Sequence, residues 1–256
     1  MFRINCHAHT QCSDGAESML NMARAAKEFG LSALVVTDHD SITHTTWPSC
    51  VREREILEQN DLLPLPVIIG SEIRTPFGEY LLFGHSALKM WEHYKYRLDR
   101  LKEEFDHSLW IEVFKRRVLS KTSFDSWCGV LQAKEKGIYN YALVMCHPRR
   151  TETCYLRATP PEWWELVHGF EIQNGKHEKY DESSPEVVSL LRELIPGAAE
   201  LRNSDAHHAE GLSDVWNETK TEIKTEDELI SWLRRGRRER RLQERLKKHG
   251  SYTILP

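Results

Sequence analysis

No stretch of this chain stays apolar for anything near the roughly 20 residues that a membrane-crossing helix needs. No pair of its six cysteines is spaced Cys-x-x-Cys. Cys6 and Cys146 each stand beside a histidine at the end of an apolar run, so the cysteines read as reduced, partly buried side chains in a reducing compartment. Cys12 alone is a secondary candidate as a thiol ligand. Excess positive charge is also missing. A net charge of −4 argues against a protein that coats nucleic-acid backbones. Met1-Phe2-Arg3-Ile4 runs straight into strand-like sequence and leaves no room for a leader, so a cytoplasmic location is expected. What remains is ordinary globular composition: 256 residues, 40% hydrophobic and 29% charged.

Short apolar runs recur at Phe2–Cys6, Ala33–Thr37, Pro66–Gly70, Tyr80–Phe83, Ala142–Cys146, Gly169–Ile172 and Ala198–Leu201. Their length and their β-branched or aromatic content favour buried strands. Helical spacing appears in Glu17–Phe29, closed by Gly30, in Thr45–Asn60, and in Pro185–Leu194 with proline in the first turn. Alternating strands and helices imply a mostly parallel α/β architecture. Only Ile73–Glu79 separates the third and fourth runs, which suits an antiparallel hairpin or a distorted piece of sheet. The expected organisation is a single domain over 1–256. It carries a helical insertion at 88–138, a candidate cap, and a basic helix or tail at 232–256. Among charged residues only Glu239 and Glu244 interrupt the basic stretch from Arg234 to Lys248. That stretch reads as a solvated terminal helix, with an RNA- or partner-contacting tail as the alternative.

The informative feature is where the unusual residues fall. Each strand-like run ends in potential ligands: His7 and His9, then Asp14; Asp38, His39 and Asp40; Glu72; Glu79 and His85 around the fourth run; His147; Gln173 and Asn174; Asp205 and His207. Strands that deliver polar residues from their carboxyl ends place them on one face of a barrel, where barrel enzymes keep their chemistry. In His-x-His, alternate side chains share a face and can hold one ion together. A carboxylate such as Glu72 can bridge two ions. Nitrogen and oxygen donors suit zinc, manganese or iron, and so many imidazoles argue against magnesium or calcium.

These residues resemble the ordered motifs of the PHP (polymerase and histidinol phosphatase) family: His7-Ala8-His9-Thr10, Ser13-Asp14-Gly15, Thr37-Asp38-His39-Asp40, Gly70-Ser71-Glu72-Ile73, Cys146-His147-Pro148 and Ser204-Asp205-Ala206-His207. Glu171-Ile172-Gln173-Asn174-Gly175 resembles a further strand of that family. The resemblance implies a distorted seven-stranded (β/α)7 barrel with the insertion after its fourth strand, and two or three divalent metal ions. It places one ion on His7, His9, Glu72 and Asp205. A second falls on Asp14, His39 and His207, and a third on Glu72, His147 and a fourth-strand ligand. Related chains carry Gly-His-x-Leu in that strand; here Gly78-Glu79-Tyr80-Leu81 stands there, so Glu79 or His85 would serve.

The chemistry so implied is hydrolysis of a phosphate ester by a hydroxide bridging two ions, with Asp14, His39, Asp205 and His207 at the reacting centre. Arg149, Arg74 and Asn174 are the candidate substrate contacts, with Arg150 a weaker one. Asp38 and Asp40 are expected to orient His39. The expected substrate is a small phosphorylated molecule, a nucleotide or an oligonucleotide end, with Trp91, Tyr94, Tyr96 and Trp110 available to stack a base. No stable nucleic-acid complex and no membrane partner are expected. A histidinol-phosphate-type phosphatase is the nearest alternative. A non-catalytic PHP-like binding module would lack several ligands, and a C–N hydrolase would need a lysine at a strand end, which none of these runs has.

Overall fold

The computed structural model describes residues 1–39, 46–75, 78–84, 140–148, 156–157, 159, 161–175, 184–213 and 215–249. The expected cap at 88–138, with its aromatic residues, lies outside them. So do Asp40, His85, Arg149 and Arg150.

Nine strands are described: β1 (Phe2–Asn5), β2 (Ala33–Val36), β3 (Val67–Ile69), β4 (Ser71–Thr75), β5 (Gly78–Phe83), β6 (Ala142–Met145), β7 (Gly169–Asn174), β8 (Ala199–Asn203) and β9 (Asn217–Thr219). The helices are α1 (Met19–Glu28), α2 (Thr46–Gln59), the four-residue α3 (Pro161–Trp164), α4 (Pro185–Leu194) and α5 (Glu226–His249), with a 3-10 turn at Ala209–Ser213. Local chemistry explains several boundaries. Ser18 caps α1 by accepting from the Asn21 backbone N–H at 3.3 Å. Gly30, at φ +77°, then ends the helix in a conformation that costs glycine nothing. Ser184 caps α4 in the same way, with Pro185 in the first turn.

The strands form a mixed α/β fold of two sheets, in the orders β3-β2-β1-β9 and β4-β5-β6-β7-β8. In the first, β1, β2 and β3 run parallel and β9 is antiparallel to β1. In the second, β4, β5 and β6 are antiparallel neighbours, whereas β6, β7 and β8 run parallel. No continuously hydrogen-bonded seven-stranded ring is present among the described residues. Two isolated parallel bridges, Ala8–Ala206 and His39–Glu72, join the sheets instead.

The crossing occurs at Gly70, where β3 ends and β4 begins one residue later. A side chain there would sit 2.6 Å from the Phe83 ring, so only glycine lets the chain pass. The residues after the third apolar run are therefore a strand of their own, and it is β4, not β3, that pairs with β5. β9 is three polar residues long and carries no apolar signal.

Alternation sorts the core into layers. Along β2, Ala33 and Val35 face one cluster, whereas Leu34 and Val36 face another. The inner cluster lies between the sheets and collects Ile4, Ile68, Leu81, Phe83, Val144 and Leu201, with Leu229, Ile230 and Leu233 arriving from α5. α1 and α2 cover the outer face of the first sheet through Met19, Met22, Ala26 and Leu57. Trp163, Leu190 and Leu191 from α3 and α4 cover the second, against Tyr80, Met145 and Phe170. Among the described residues no helix is long and apolar enough to cross a membrane. Cys6, Cys50 and Cys146 are buried free thiols and Cys12 is a half-buried one; Cys128 and Cys154 lie outside the described residues.

Candidate metal centre

The carboxyl ends of β1, β2, β6 and β8, with the start of β4, deliver their polar residues to one place. His7, His9, Glu72 and Asp205 are all buried, and their ligand atoms lie within 4.8 Å of one another. His7 Nε2 and His9 Nε2 approach to 3.1 Å. Both lie close to Glu72 Oε2, at 3.3 and 3.2 Å, and to Asp205 Oδ1, at 3.4 and 3.2 Å. Around His9 a second group forms with Asp14, His39 and His207. A third joins Glu72, Cys146 and His147. Glu72 touches all three: Oε2 lies 3.2 Å from His39 Nδ1, and Oε1 lies 2.9 Å from His147 Nε2.

The imidazoles are oriented from behind. His7 Nδ1 donates to Glu171 Oε1 at 2.8 Å, which leaves the Nε2 lone pair facing the cluster. His207 Nδ1 donates to the Asp205 carbonyl at 2.9 Å, so its Nε2 lone pair faces Asp14 Oδ2 at 3.1 Å. Glu171 is fully buried. It also accepts from the His147 backbone N–H at 2.8 Å, Asn203 Nδ2 at 2.9 Å and Asn174 Nδ2 at 3.0 Å. An irregularity in β7 between Glu171 and Gln173 makes this possible, because residues three apart in a regular strand point to opposite faces.

His147 and Asp205 hold φ of +33° and +50°, left-handed conformations that cost of order 1–3 kcal/mol in a non-glycine residue. The hydrogen bond to Glu171 holds the first of them. A buried polar lattice of Asn5, Asn203, Ser204 and Asn217 ties β1, β8 and β9 together beneath the site.

Burial opposes charge on His7, but the carboxylates of Asp205, Glu171 and Glu72 overcome it and hold its pKa well above the ordinary value. Burial also works against ionised Glu72 and Asp205. His7 and the neighbouring imidazoles outweigh it, and both carboxyls lie below their usual range. Burial lowers His39, which favours a neutral ring able to ligate. Such a cluster requires cations, either protons or metals. His9 Nδ1 is buried with no hydrogen-bond partner, 3.5 Å from Asp14 Oδ1. An orphaned imidazole nitrogen among oxygen and nitrogen donors fits a divalent metal.

The expected residues fare differently one by one. His7, His9, Asp14, His39, Glu72, His147, Asp205 and His207 are brought together, His9 and Glu72 each falling in two groups, and the third group contains Cys146 in place of a fourth-strand residue. Glu79 Oε2 lies 3.5 Å from His147 Nδ1, across the ring from Glu72. Arg74 lies in β4, paired with Glu79. Asn174 is buried; its amide nitrogen donates to Glu171 at 3.0 Å and lies 3.4 Å from Asp205, while its Oδ1 has no hydrogen-bond partner.

Asp38 does not grip His39. It accepts from the Thr10 backbone N–H at 2.7 Å, Thr10 Oγ1 at 2.6 Å, Ser13 Oγ at 2.5 Å and Cys50 Sγ at 3.2 Å, and so fixes the loop that carries Asp14. An Asp38→Asn variant turns one acceptor into a donor facing donors. We expect a loss of about 1–3 kcal/mol in unfolding free energy, with bound metal reduced at the Asp14 group; denaturant midpoints and metal content check both.

Cys12 lies near Asp38 and Cys50, and its Sγ is 3.5 Å from Glu53 Oε2, outside the imidazole groups. Two contributors escaped sequence reasoning. One is Glu171, visible only as part of a motif. The other is Cys146, whose thiol donates to Glu72 Oε1 at 3.3 Å and is kept protonated by burial and nearby carboxylates.

A family model described as PHP domain matches residues 5–163, more than half of the chain. The chain belongs to the PHP domain family. A second model, described as PHP-associated, matches residues 197–238 of this PHP chain. No curated protein sequence matches it. Among solved structures, it is similar to a two-domain protein from Bacteroides vulgatus containing a predicted PHP-like metal-dependent phosphoesterase: 20% identity over 82% of this chain and 53% of that one, TM-score 0.46. It thus spans about half of that relative. A second, from Bifidobacterium adolescentis and proposed to be a metal-dependent phosphoesterase, shares 18% identity over 91% and 96% of the two chains, TM-score 0.49. PsfC from Pseudomonas syringae shares 14% over 96% and 99%, TM-score 0.46.

Proposed function

We propose that this PHP chain is a metal-dependent phosphoesterase that hydrolyses a phosphate ester of a nucleotide or short oligonucleotide, at the ligand-bearing end of the strands of its two sheets. One observation carries the reading. Glu72 directs its two carboxylate oxygens at different imidazole groups, Oε2 toward His7, His9 and His39 and Oε1 toward His147, as a carboxylate shared between neighbouring cations would.

Bound divalent ions would supply an activated water at neutral pH and would stabilise charge on the phosphoryl oxygens. His7, His9, Glu72 and Asp205 would hold one; Asp14, His39 and His207 a second; Glu72 and His147, with Glu79 the nearest fourth-strand oxygen, a third. Glu171 keeps the proton of His7 on Nδ1, and the Asp205 carbonyl keeps that of His207 on Nδ1, so both Nε2 lone pairs stay available. Arg149 and Arg74 are the phosphate contacts in this reading. The choice of a nucleotide rests on the aromatic content of residues 88–138 and on the resemblance described above.

Metal analysis of the purified protein, followed by a screen of phosphomonoesters and diesters with manganese, zinc or iron(II) restored, tests the proposal. Chelation should abolish turnover and metal re-addition should restore it. His9→Ala and Asp205→Asn should lose metal and turnover together. Turnover that persists in a metal-free Asp205→Asn protein rules the scheme out, and preferred hydrolysis of histidinol phosphate would replace the nucleotide assignment.

A further inference from the structure

A second concavity lies at the opposite end of the strands from the metal centre. Asn140 and His168 line it and stand just before β6 and β7, whereas His147 and Asn174 stand at or beyond the far ends of those strands. At about 3.3 Å per residue, a strand of four to six residues separates its two ends by roughly 13–20 Å. The cavity holds about 610 Å3, and four arginines of α5 line it: Arg234, Arg237, Arg238 and Arg241. Their spacings of three and four bring them to one face of the helix.

The lining is rich in donors. Arg237 is anchored by donating to the Trp164 and Val167 carbonyls. His168 Nδ1 accepts from the Leu143 backbone N–H at 3.2 Å, which puts the ring proton on Nε2 as a further donor. Among the described residues the carboxylate on the wall is Asp227, and it accepts from Asn140 Nδ2 at 2.7 Å. Four guanidinium groups against one carboxylate leave the cavity strongly positive. Burial, with Arg241 beside it, lowers even the Arg237 pKa to about 10. A structure that bears this like-charge cost in a chain of net charge −4 is poised for an anion, and guanidinium forks match phosphate oxygens in pairs.

We propose that this cavity is a binding site for a compact polyanion of two or more linked phosphates, whether inorganic polyphosphate or the phosphate tail of a nucleotide. The arginines gather in a concavity of ligand size, which favours a compact anion over an extended nucleic-acid backbone. The site is separate from the hydrolytic centre and does not depend on it.

The test is calorimetric titration of full-length, metal-loaded protein at about 0.15 M salt. The probe is inorganic tripolyphosphate, supplied as its magnesium complex so that bound metal is not stripped. Binding should saturate near one per chain and persist in Asp205→Asn. It should weaken by about tenfold or more in Arg238→Gln/Arg241→Gln. It should change less than about twofold in Arg235→Gln/Arg240→Gln, which removes the same charge from the same helix but outside the cavity lining. The Arg238/Arg241 variant should keep its hydrolytic turnover, which also shows that it folds.

Absence of saturable binding overturns the proposal. Equal weakening in both arginine pairs overturns it in favour of general attraction to the helix. Loss in Asp205→Asn with both arginine pairs neutral assigns the binding to the metal centre. Tighter, length-dependent binding of an RNA oligomer without terminal phosphates replaces the compact anion with an extended one.

Discussion

Glu72→Gln is expected to leave at most one bound divalent ion and to lower turnover by about three orders of magnitude or more, since the stabilisation at stake is several kcal/mol and each 1.4 kcal/mol is tenfold. The two oxygens of Glu72 reach members of all three ligand groups. Its Oε2 lies within 3.3 Å of His7, His9 and His39, and its Oε1 lies 2.9 Å from His147. Glutamine keeps the volume but replaces one oxygen with an N–H2 group, which cannot ligate and which would face imidazole lone pairs. It also removes a negative charge that helps to hold buried His7 in its protonated or metal-bound form. Metal content by mass spectrometry, read beside turnover, checks the expectation. Full occupancy with full activity would show that Glu72 bridges nothing.

The next largest effect should come from a residue that touches no metal in this scheme. Glu171→Gln is expected to weaken metal affinity by about 10- to 100-fold while leaving the ligand set intact. The carboxylate of Glu171 accepts four hydrogen bonds: from His7 Nδ1, the His147 backbone, Asn203 and Asn174. A glutamine has one accepting oxygen, so its N–H2 must confront a donor in a fully buried place, at about 1–3 kcal/mol. Two consequences follow. His7 loses the partner that keeps its lone pair aimed at the cluster, and the left-handed backbone at His147 loses its tether. Raising metal concentration should therefore restore turnover in Glu171→Gln but not in Glu72→Gln. A Glu171 variant that binds metal normally and differs only in melting temperature would reduce the residue to a structural role.

Much of the candidate site was legible in the chain because its ligands sit where apolar runs stop. His7 and His9 follow β1, His39 follows β2, His147 follows β6, and Asp205 with His207 follow β8. Parallel strands point their carboxyl ends the same way, so a list of strand ends is already a list of neighbours. The supports were harder to see. Glu171 and Asn174 are three residues apart, a spacing that a period of two assigns to opposite faces, and only the irregularity in β7 lets one bond the other. Asp38 adjoins His39 in sequence, yet its carboxylate turns to Thr10 and Ser13, whose backbone and hydroxyl donors no pattern of side-chain types reveals. β4 and β9 carry little apolar signal, and the passage of the chain from one sheet to the other at Gly70 depends on the Phe83 ring packed against it.

The sequence by itself determined the α/β character, the helices at α1, α2 and α4, and which His, Asp and Glu residues gather at the candidate site, because burial periodicity and donor chemistry are local properties. Tertiary structure alone decided that the strands divide into two sheets joined by single bridges, that His9 lies between two candidate ligand groups, and that buried Glu171 orients His7. It also decided that four arginines of α5 share one cavity with His168. Those outcomes depend on contacts between residues far apart in the chain, and a contact of that kind is set by how the layers pack, which periodicity along one segment does not encode.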